Sequence, residues 1–132
     1  MNKPSRRDVR QKCIEARYFE YDSFHDRLFV PPAMILIWVF VRIGVSGNTV
    51  SWISGAFALA GAFALSVENP YIVLFGSFGY LVFYLLDYVD GGVARYRDEA
   101  GMSGQYVDWI IHVIAAVATM AGLLGGALHN IG

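Results

Sequence analysis

Three long uncharged stretches dominate the pattern of apolar and polar positions along the chain. Residues 50–67 contain no charged residue over 18 positions, residues 71–86 form a second uncharged run, and residues 109–128 form a third, broken only by His112. A helix needs about 20 apolar residues to cross a hydrocarbon core of roughly 30 Å. The pattern therefore predicts an all-α fold, an integral membrane helical bundle with three transmembrane helices.

Helix-breaking and polar residues indicate where the three spans begin and end. Gly47-Asn48-Thr49 predicts a turn into the first span, with Asn48 or Thr49 as its N-cap, and Pro70 is expected to open the second span. A polar loop over residues 96–103 separates the second span from the third. The predicted spans are residues 49–67, 70–91 and 104–128.

The stretch 28–46 is also apolar, but three features argue against a fourth crossing. Pro31 and Pro32 are expected to start a helix, which leaves too few residues for a comfortable span. Arg42 would lie inside the membrane. A crossing here would also separate the basic N-terminus from the basic loop after the second span, against the usual positive-inside bias. We therefore predict a juxtamembrane helix over residues 28–46.

Positive charge is concentrated at the N-terminus. Seven of the ten Lys and Arg residues lie in the first 27 positions, which predicts a cytoplasmic N-terminus. Acidic residues interrupt this stretch and argue against nucleic-acid binding, and the lack of an apolar centre argues against a cleavable secretory signal. We predict a cytoplasmic, basic and interfacial segment over residues 1–27, followed by a membrane domain over residues 28–132.

Composition narrows the protein class further. Hydrophobic residues make up 56% of the chain and charged residues only 16%, which is unusual for a soluble domain. The single cysteine, Cys13, excludes an intrachain disulfide and a cysteine-rich metal site.

Small residues recur at four-residue steps in the first and third spans. They are Ser54, Ala58 and Ala62, and then Ala118, Gly122 and Gly126. This spacing lets transmembrane helices approach each other closely. It favours packing within the chain over a dimer seam, although both remain open at this stage.

Ionisable residues cluster where the second span ends and the third begins. Asp87 and Asp90 are three residues apart and Asp108 and His112 are four apart, so each pair shares a helix face. Two antiparallel helices joined by a short loop would bring all four together. Three adjacent carboxylates repel unless cations share the site, and oxygen ligands suit Mg²⁺, Mn²⁺ or Ca²⁺. The spacing therefore predicts a divalent-cation site that includes Asp87, Asp90 and Asp108.

The residues after Asp90 suit a phosphate-bearing ligand. Arg95 is close enough in sequence to reach the same cavity, and a guanidinium beside a metal ion is a phosphate-binding combination. Gly91 and Ala94 are small and leave room for a ligand near the backbone.

These residues together resemble the signature of the CDP-alcohol phosphotransferase family, D-x2-D-G-x2-A-R-x8-G-x3-D-x3-D. Seven of its eight specified positions match with every spacing kept: Asp87, Asp90, Gly91, Ala94, Arg95, Gly104 and Asp108, with His112 in the place of the last Asp. The turn Gly47-Asn48-Thr49-Val50-Ser51 also resembles the turn that leads into the family's first span.

The resemblance implies a phospholipid-synthesising enzyme with Mg²⁺ or Mn²⁺ as cofactor. It would transfer a phosphatidyl group from a CDP-linked lipid donor, such as CDP-diacylglycerol, to a small alcohol acceptor and release CMP. Asp87, Asp90 and Asp108 would bind the metal, and His112 would deprotonate the alcohol. The implied CDP-binding and phosphate-binding residues are Gly91, Ala94, Arg95, Gly104 and Asn48. The resemblance also implies a homodimer among membrane lipids, with its active site on the cytoplasmic face.

Two departures from the family leave an alternative open. His112 replaces an aspartate, although an imidazole can act as a base near neutral pH. The chain supplies three spans where family members usually have six, so it resembles the N-terminal half of the fold. The alternative is a catalytically inactive or incomplete membrane half that binds metal or nucleotide, or pairs with another subunit. A transporter is disfavoured because beyond His112 the third span offers only Thr119 as a polar residue.

Overall fold

The computed structural model describes residues 4–15, 24–99 and 101–129, and this part of the chain forms five α-helices. They are α1 (Arg6–Glu15), α2 (Phe24–Ile43), α3 (Gly47–Leu65), α4 (Pro70–Tyr96) and α5 (Met102–His129). By length and composition, α3, α4 and α5 are able to cross a membrane. The predicted all-α fold, with three candidate spans after two N-terminal helices, is confirmed, and it is the architecture of an integral membrane protein.

Helix α3 is the centre of the bundle. It packs along α4 and, less extensively, along α5, while α2 packs on α4. Helix α1 contacts both α2 and α4. The start of α3, the end of α4 and the start of α5 meet at one end of the bundle, and α1 contacts the end of α4 there through Lys12.

The spans begin at two capped turns. Pro70 is the first residue of α4, as expected for the second span. Asn69 is its N-cap, and the Asn69 side chain accepts a hydrogen bond from the backbone N–H of Tyr71. The predicted cap of the first span is wrong. Ser46, in an extended conformation, caps α3 by accepting from the backbone N–H of Thr49 at 3.3 Å, so the helix already begins at Gly47.

Helix α2 starts earlier than its prolines suggest. It begins at Phe24 and contains Pro31 and Pro32, so the prediction that these prolines start the helix is wrong. Both prolines are exposed, whereas Val30 and Ala33 beside them are fully buried. The carbonyl groups that lose a donor belong to exposed residues one turn earlier, where water or lipid headgroups can bind them. Burial of the opposite face therefore outweighs the cost of the prolines.

Helix α1 packs against protein with its apolar side. Val9 and Cys13 are buried in one cluster with Ile37 of α2 and with Val89 and Val93 of α4. Basic side chains of α1, such as Arg7 and Arg10, are exposed. Of the predicted interfacial segment 1–27, residues 1–3 and 16–23 lie outside the described residues.

The small-residue stripes bring α3 and α5 together within the chain. A Cβ placed on Gly122 would collide with the carbonyl oxygen of Ala62, and one on Gly126 would lie against the carbonyl oxygen of Leu65. Backbone contact at these points requires glycine. In the described part of the chain, these small residues pack against each other within the chain, as predicted.

Candidate functional site

A cavity of about 260 Å³ lies where the start of α3, the end of α4 and the start of α5 meet. Eight of the nine residues assigned to the site from the sequence line it: Asn48, Asp87, Asp90, Gly91, Ala94, Arg95, Gly104 and Asp108. They come from the three consecutive helices α3, α4 and α5. Only His112, one turn beyond Asp108 on α5, is not part of the lining.

His112 links α4 to α5 at the edge of this cavity. Its Nε2 atom lies 3.3 Å from Oδ1 of Asp87, and its Nδ1 atom lies 3.3 Å from Oδ1 of Asp108. The Nδ1 atom is also 3.0 Å from the backbone oxygen of Asp108, and the ring packs on Phe83. One imidazole therefore contacts a carboxylate on each of the two helices.

Asp87, Asp108 and His112 form a group that could hold one metal ion. One ligand atom from each lies within 4.8 Å of the others. Carboxylates are ligands that Mg²⁺ and Mn²⁺ prefer, whereas an imidazole is more typical of Zn²⁺ or Fe²⁺, and three protein ligands leave coordination positions open for phosphate or water. The donor set thus fits a divalent cation, with His112 as a ligand in addition to the predicted carboxylates.

Asp90 stands slightly apart from this group. It is 7% exposed and accepts a hydrogen bond of 2.6 Å from the Ser51 hydroxyl of α3. Ser51 is itself buried, and its hydroxyl is 3.3 Å from the carbonyl of Gly47. The sequence predicted Asp90 as a metal ligand beside Asp87 and Asp108, and this role stays a prediction, since the compact three-ligand group contains His112 in its place.

Small residues allow the three helices to meet at the cavity. A Cβ on Gly47 would lie 2.9 Å from the Cβ of Ala94 and 3.0 Å from the carbonyl oxygen of Asp90, so α3 can touch α4 here only through glycine. At Gly104 a Cβ would lie 3.5 Å from Oδ1 of Asn48. Gly47 and Ala94 therefore serve helix packing, whereas an added Cβ at Gly104 would make only an ordinary van der Waals contact.

Five further residues line the cavity that the sequence did not assign to the site: Gly47, Ser51, Glu99, Gly101 and Gln105. Ser51 carried a detectable signal, because it follows Asn48 by three residues and shares its helix face. Glu99 and Gly101 belong to the polar loop that separates the second span from the third. Arg97 in that loop donates to the carbonyl of Gly44 at 3.2 Å and pairs with Glu99 at 3.4 Å.

Comparisons of the chain with protein-family models, with curated proteins and with solved structures found no match. The arguments for function therefore rest on the residues and on the geometry of this cavity.

Proposed function

We propose that this protein is a metal-dependent phosphotransferase that moves a substituted phosphoryl group from a CDP-linked donor, such as CDP-diacylglycerol, to an alcohol and releases CMP. One observation carries the proposal. The eight residues assigned to metal, phosphate and nucleotide binding from their spacing and from the family resemblance all line a single cavity, and the ninth, His112, contacts two of them.

The acidic side of the cavity is suited to a cation. Asp87, Asp108 and His112 would hold Mg²⁺ or Mn²⁺, with Asp90 next to them, and the bound cation would act as a Lewis acid on phosphate oxygens. Ser51 orients the Asp90 carboxylate by its hydrogen bond. These side chains lie on helices packed against α3, so their positions are set before any ligand binds.

Other residues of the cavity lining are suited to the donor. Arg95 brings a guanidinium that can bind phosphate oxygens in a bidentate manner. Asn48 offers an amide to the nucleotide or phosphate, and Gly91 keeps that part of the wall free of side chains. The cavity lies at helix ends, which suits a lipid substrate whose headgroup stays at the membrane surface, and we place it on the cytoplasmic face.

His112 has two roles in the proposal that can be separated by experiment. As a base, its imidazole takes the proton from the acceptor hydroxyl, and the carboxylates of Asp87 and Asp108 stabilise the resulting imidazolium. As a metal ligand, it uses one ring nitrogen for the cation. The same nitrogen cannot do both at once.

The second candidate function is an inactive or incomplete membrane half that binds metal or nucleotide, or pairs with another subunit. It is favoured by the large surface that α5 exposes to lipid or to a partner. Only 17% of the residues in the apolar stretch of α5 are buried within the bundle. A homodimer, or an association with a different chain, would cover part of that surface.

The test is CMP release by the purified protein in lipid nanodiscs that contain CDP-diacylglycerol. Mn²⁺ or Mg²⁺ is added with a panel of alcohols: glycerol phosphate, serine, inositol phosphate, choline and ethanolamine. We expect CMP with at least one acceptor and nearly none from Asp108→Asn, whereas Glu68→Gln, an exposed carboxylate in the α3–α4 turn, keeps the activity. Absence of CMP with every acceptor, together with Mn²⁺ binding that Asp108→Asn abolishes, would support the second candidate instead.

A further inference from the structure

The turn after α4 forms part of the cavity wall. Residues 97–99, named here the exit turn, follow the last residue of α4, and Glu99 at its end lines the cavity. The backbone N–H of Asp98 donates to the carbonyl of Arg95 at 3.2 Å, and that of Glu99 donates to the carbonyl of Ala94 at 2.8 Å. This pair of bonds is the Schellman arrangement that commonly ends a helix.

The residue at the centre of this arrangement is unusual. The Schellman position with positive φ is normally glycine, because a side chain there is unfavourable in the left-handed region. Here it is Asp98, with φ of 56°, and it is the one non-glycine residue with positive φ in the described part of the chain. Aspartate reaches the left-handed region more readily than most residues, but at a cost that glycine avoids, and a stabilising contact can offset that cost.

Lys12 of α1 supplies such a contact. Its Nζ atom donates to the carbonyl of Tyr96 at 2.7 Å and to Oδ2 of Asp98 at 2.9 Å, and it lies 5.2 Å from the centroid of the Tyr96 ring. The last carbonyls of a helix lack intrahelical donors and carry partial negative charge. One ammonium therefore binds both the end of α4 and the strained residue that follows it.

Helix α1 is fixed well enough to hold Lys12 in place. Ser5 and Asp8 cap its N-terminus reciprocally: the N–H of Ser5 donates to Asp8 at 2.9 Å, and the N–H of Asp8 donates to the Ser5 hydroxyl at 3.2 Å. Val9 and Cys13, on either side of Lys12, are buried against α2 and α4. The ammonium thus reaches the exit turn from a packed helix.

We propose that Lys12 is a positioning residue for the cavity: it holds the exit turn in its left-handed conformation and thereby fixes Glu99 in the wall. Its effect on turnover rests on the proposed function, whereas its effect on the turn does not. The metal-ligating group lies on α4 and α5, outside the exit turn. Loss of Lys12 is therefore expected to weaken substrate binding and to leave the chemical step nearly unchanged.

The test compares four forms of the full chain in nanodiscs: wild type, Lys12→Met, Asp98→Gly and the double variant. Arg7→Met is the matched control, since it removes the same charge from an exposed position of α1. The rate of hydrogen exchange at the amides of residues 97–99 measures directly how stably the exit turn is formed. KM and kcat for CMP release, and Mn²⁺ affinity, report the cavity.

For Lys12→Met we expect exchange in the exit turn to rise about two- to fivefold, the range that a partly exposed ion pair supports. KM should rise by a similar factor, with kcat and Mn²⁺ affinity unchanged. In the double variant both exchange and KM should return to the wild-type values, because glycine adopts positive φ without help. Arg7→Met should match wild type.

Two results would overturn the proposal. Exchange and KM that do not respond to Lys12→Met would show that the contact does not hold the turn. A response that Asp98→Gly fails to rescue would show that Lys12 acts through the packing of α1 in general. If wild type releases no CMP, the proposed function fails, and the exchange measurements alone decide whether Lys12 holds the turn.

Discussion

The hydroxyl of Ser51 lies 2.6 Å from Oδ2 of Asp90, and this hydrogen bond joins α3 to α4 inside the bundle. Both residues are buried, with 4% and 7% of their surface exposed. A buried carboxylate is costly unless a donor reaches it, and Ser51 is such a donor from the neighbouring helix. The same contact therefore stabilises helix packing and orients an acidic residue of the cavity.

Replacement of Ser51 by Ala should destabilise the protein. The largely buried Asp90 carboxylate would lose a donor, which costs about 1–3 kcal/mol of the free energy of unfolding. Ser77→Ala is the control, since the exposed Ser77 hydroxyl donates only to the carbonyl of Val73 in its own helix in the described part of the chain. Reversible unfolding in mixed micelles measures the free energy of unfolding of both variants. Equal stability of the two variants would argue that the Ser51 bond adds nothing.

Asp90→Asn separates packing from charge at the same position. The Asn side-chain oxygen can still accept from Ser51, so we expect the unfolding free energy to stay within about 1 kcal/mol of wild type. The negative charge that would bind a cation is lost, and CMP release should fall to background. Retained activity in a folded Asp90→Asn protein would remove Asp90 from the proposed metal site.

The role of His112 can be tested with two substitutions. His112→Ala should lower CMP release by about 100-fold or more, as expected for loss of a general base. Because its ring nitrogens lie 3.3 Å from Asp87 and from Asp108, we expect Mn²⁺ affinity to fall as well. His112→Asp provides a carboxylate of the kind found in the family signature and should retain Mn²⁺ binding.

Mn²⁺ titration followed by electron paramagnetic resonance distinguishes the two roles of His112. Loss of turnover in His112→Ala with unchanged Mn²⁺ affinity would assign His112 as a base that does not bind the metal. Turnover equal to wild type would exclude His112 from the reaction.

Some features of the fold followed directly from local sequence. The uncharged runs located the three spans because a hydrocarbon core tolerates few charges, and Pro70 marked the start of α4 because proline favours the first turn of a helix. Asp87, Asp108 and His112 converged because their spacing placed them on matching faces of two consecutive helices, and Asn48 lines the same cavity from α3.

Other features depend on contacts between distant parts of the chain. Nothing near Asp98 in sequence indicates that Lys12 binds it, since the two are separated by 86 positions. The prolines of α2 lie inside a helix because the opposite face is buried, which a local rule does not consider. Ser46 rather than Asn48 caps α3, because its hydroxyl reaches the N–H of Thr49.

The close approach of α3 and α5 predicts a sharp difference between two nearby glycines. Gly122→Ala would push a methyl group into the carbonyl oxygen of Ala62, and such overpacking costs about 1–3 kcal/mol. At Gly125 the nearest atom to an added Cβ is the Cβ of Ser66 at 3.4 Å, so Gly125→Ala should be tolerated. Both changes gain the same helix propensity, up to about 1 kcal/mol. Thermal unfolding that ranks the two variants equally would contradict this packing.

Cys13 reports whether α1 stays docked on the bundle. Its side chain is 1% exposed, and burial raises the pKa of its thiol above the ordinary 9.0, an effect only partly offset by the charges of Arg95 and Lys12. The reactive thiolate is therefore scarce and shielded, and we expect alkylation by N-ethylmaleimide at pH 8 to be at least about 100-fold slower in the folded protein than after denaturation in SDS. The matched control is Arg7→Cys in a Cys13→Ser background, which puts a thiol at an exposed position of the same helix and should react rapidly. Rapid labelling of Cys13 at pH 8 would mean that α1 leaves the bundle, and Lys12 could not then hold the exit turn.

Burial of this thiol also makes the stability of the fold depend on pH. The pKa of Cys13 is higher in the folded chain than in the unfolded chain. The neutral thiol therefore stabilises the fold below pH 9, and this contribution is lost as the pH rises through the folded pKa.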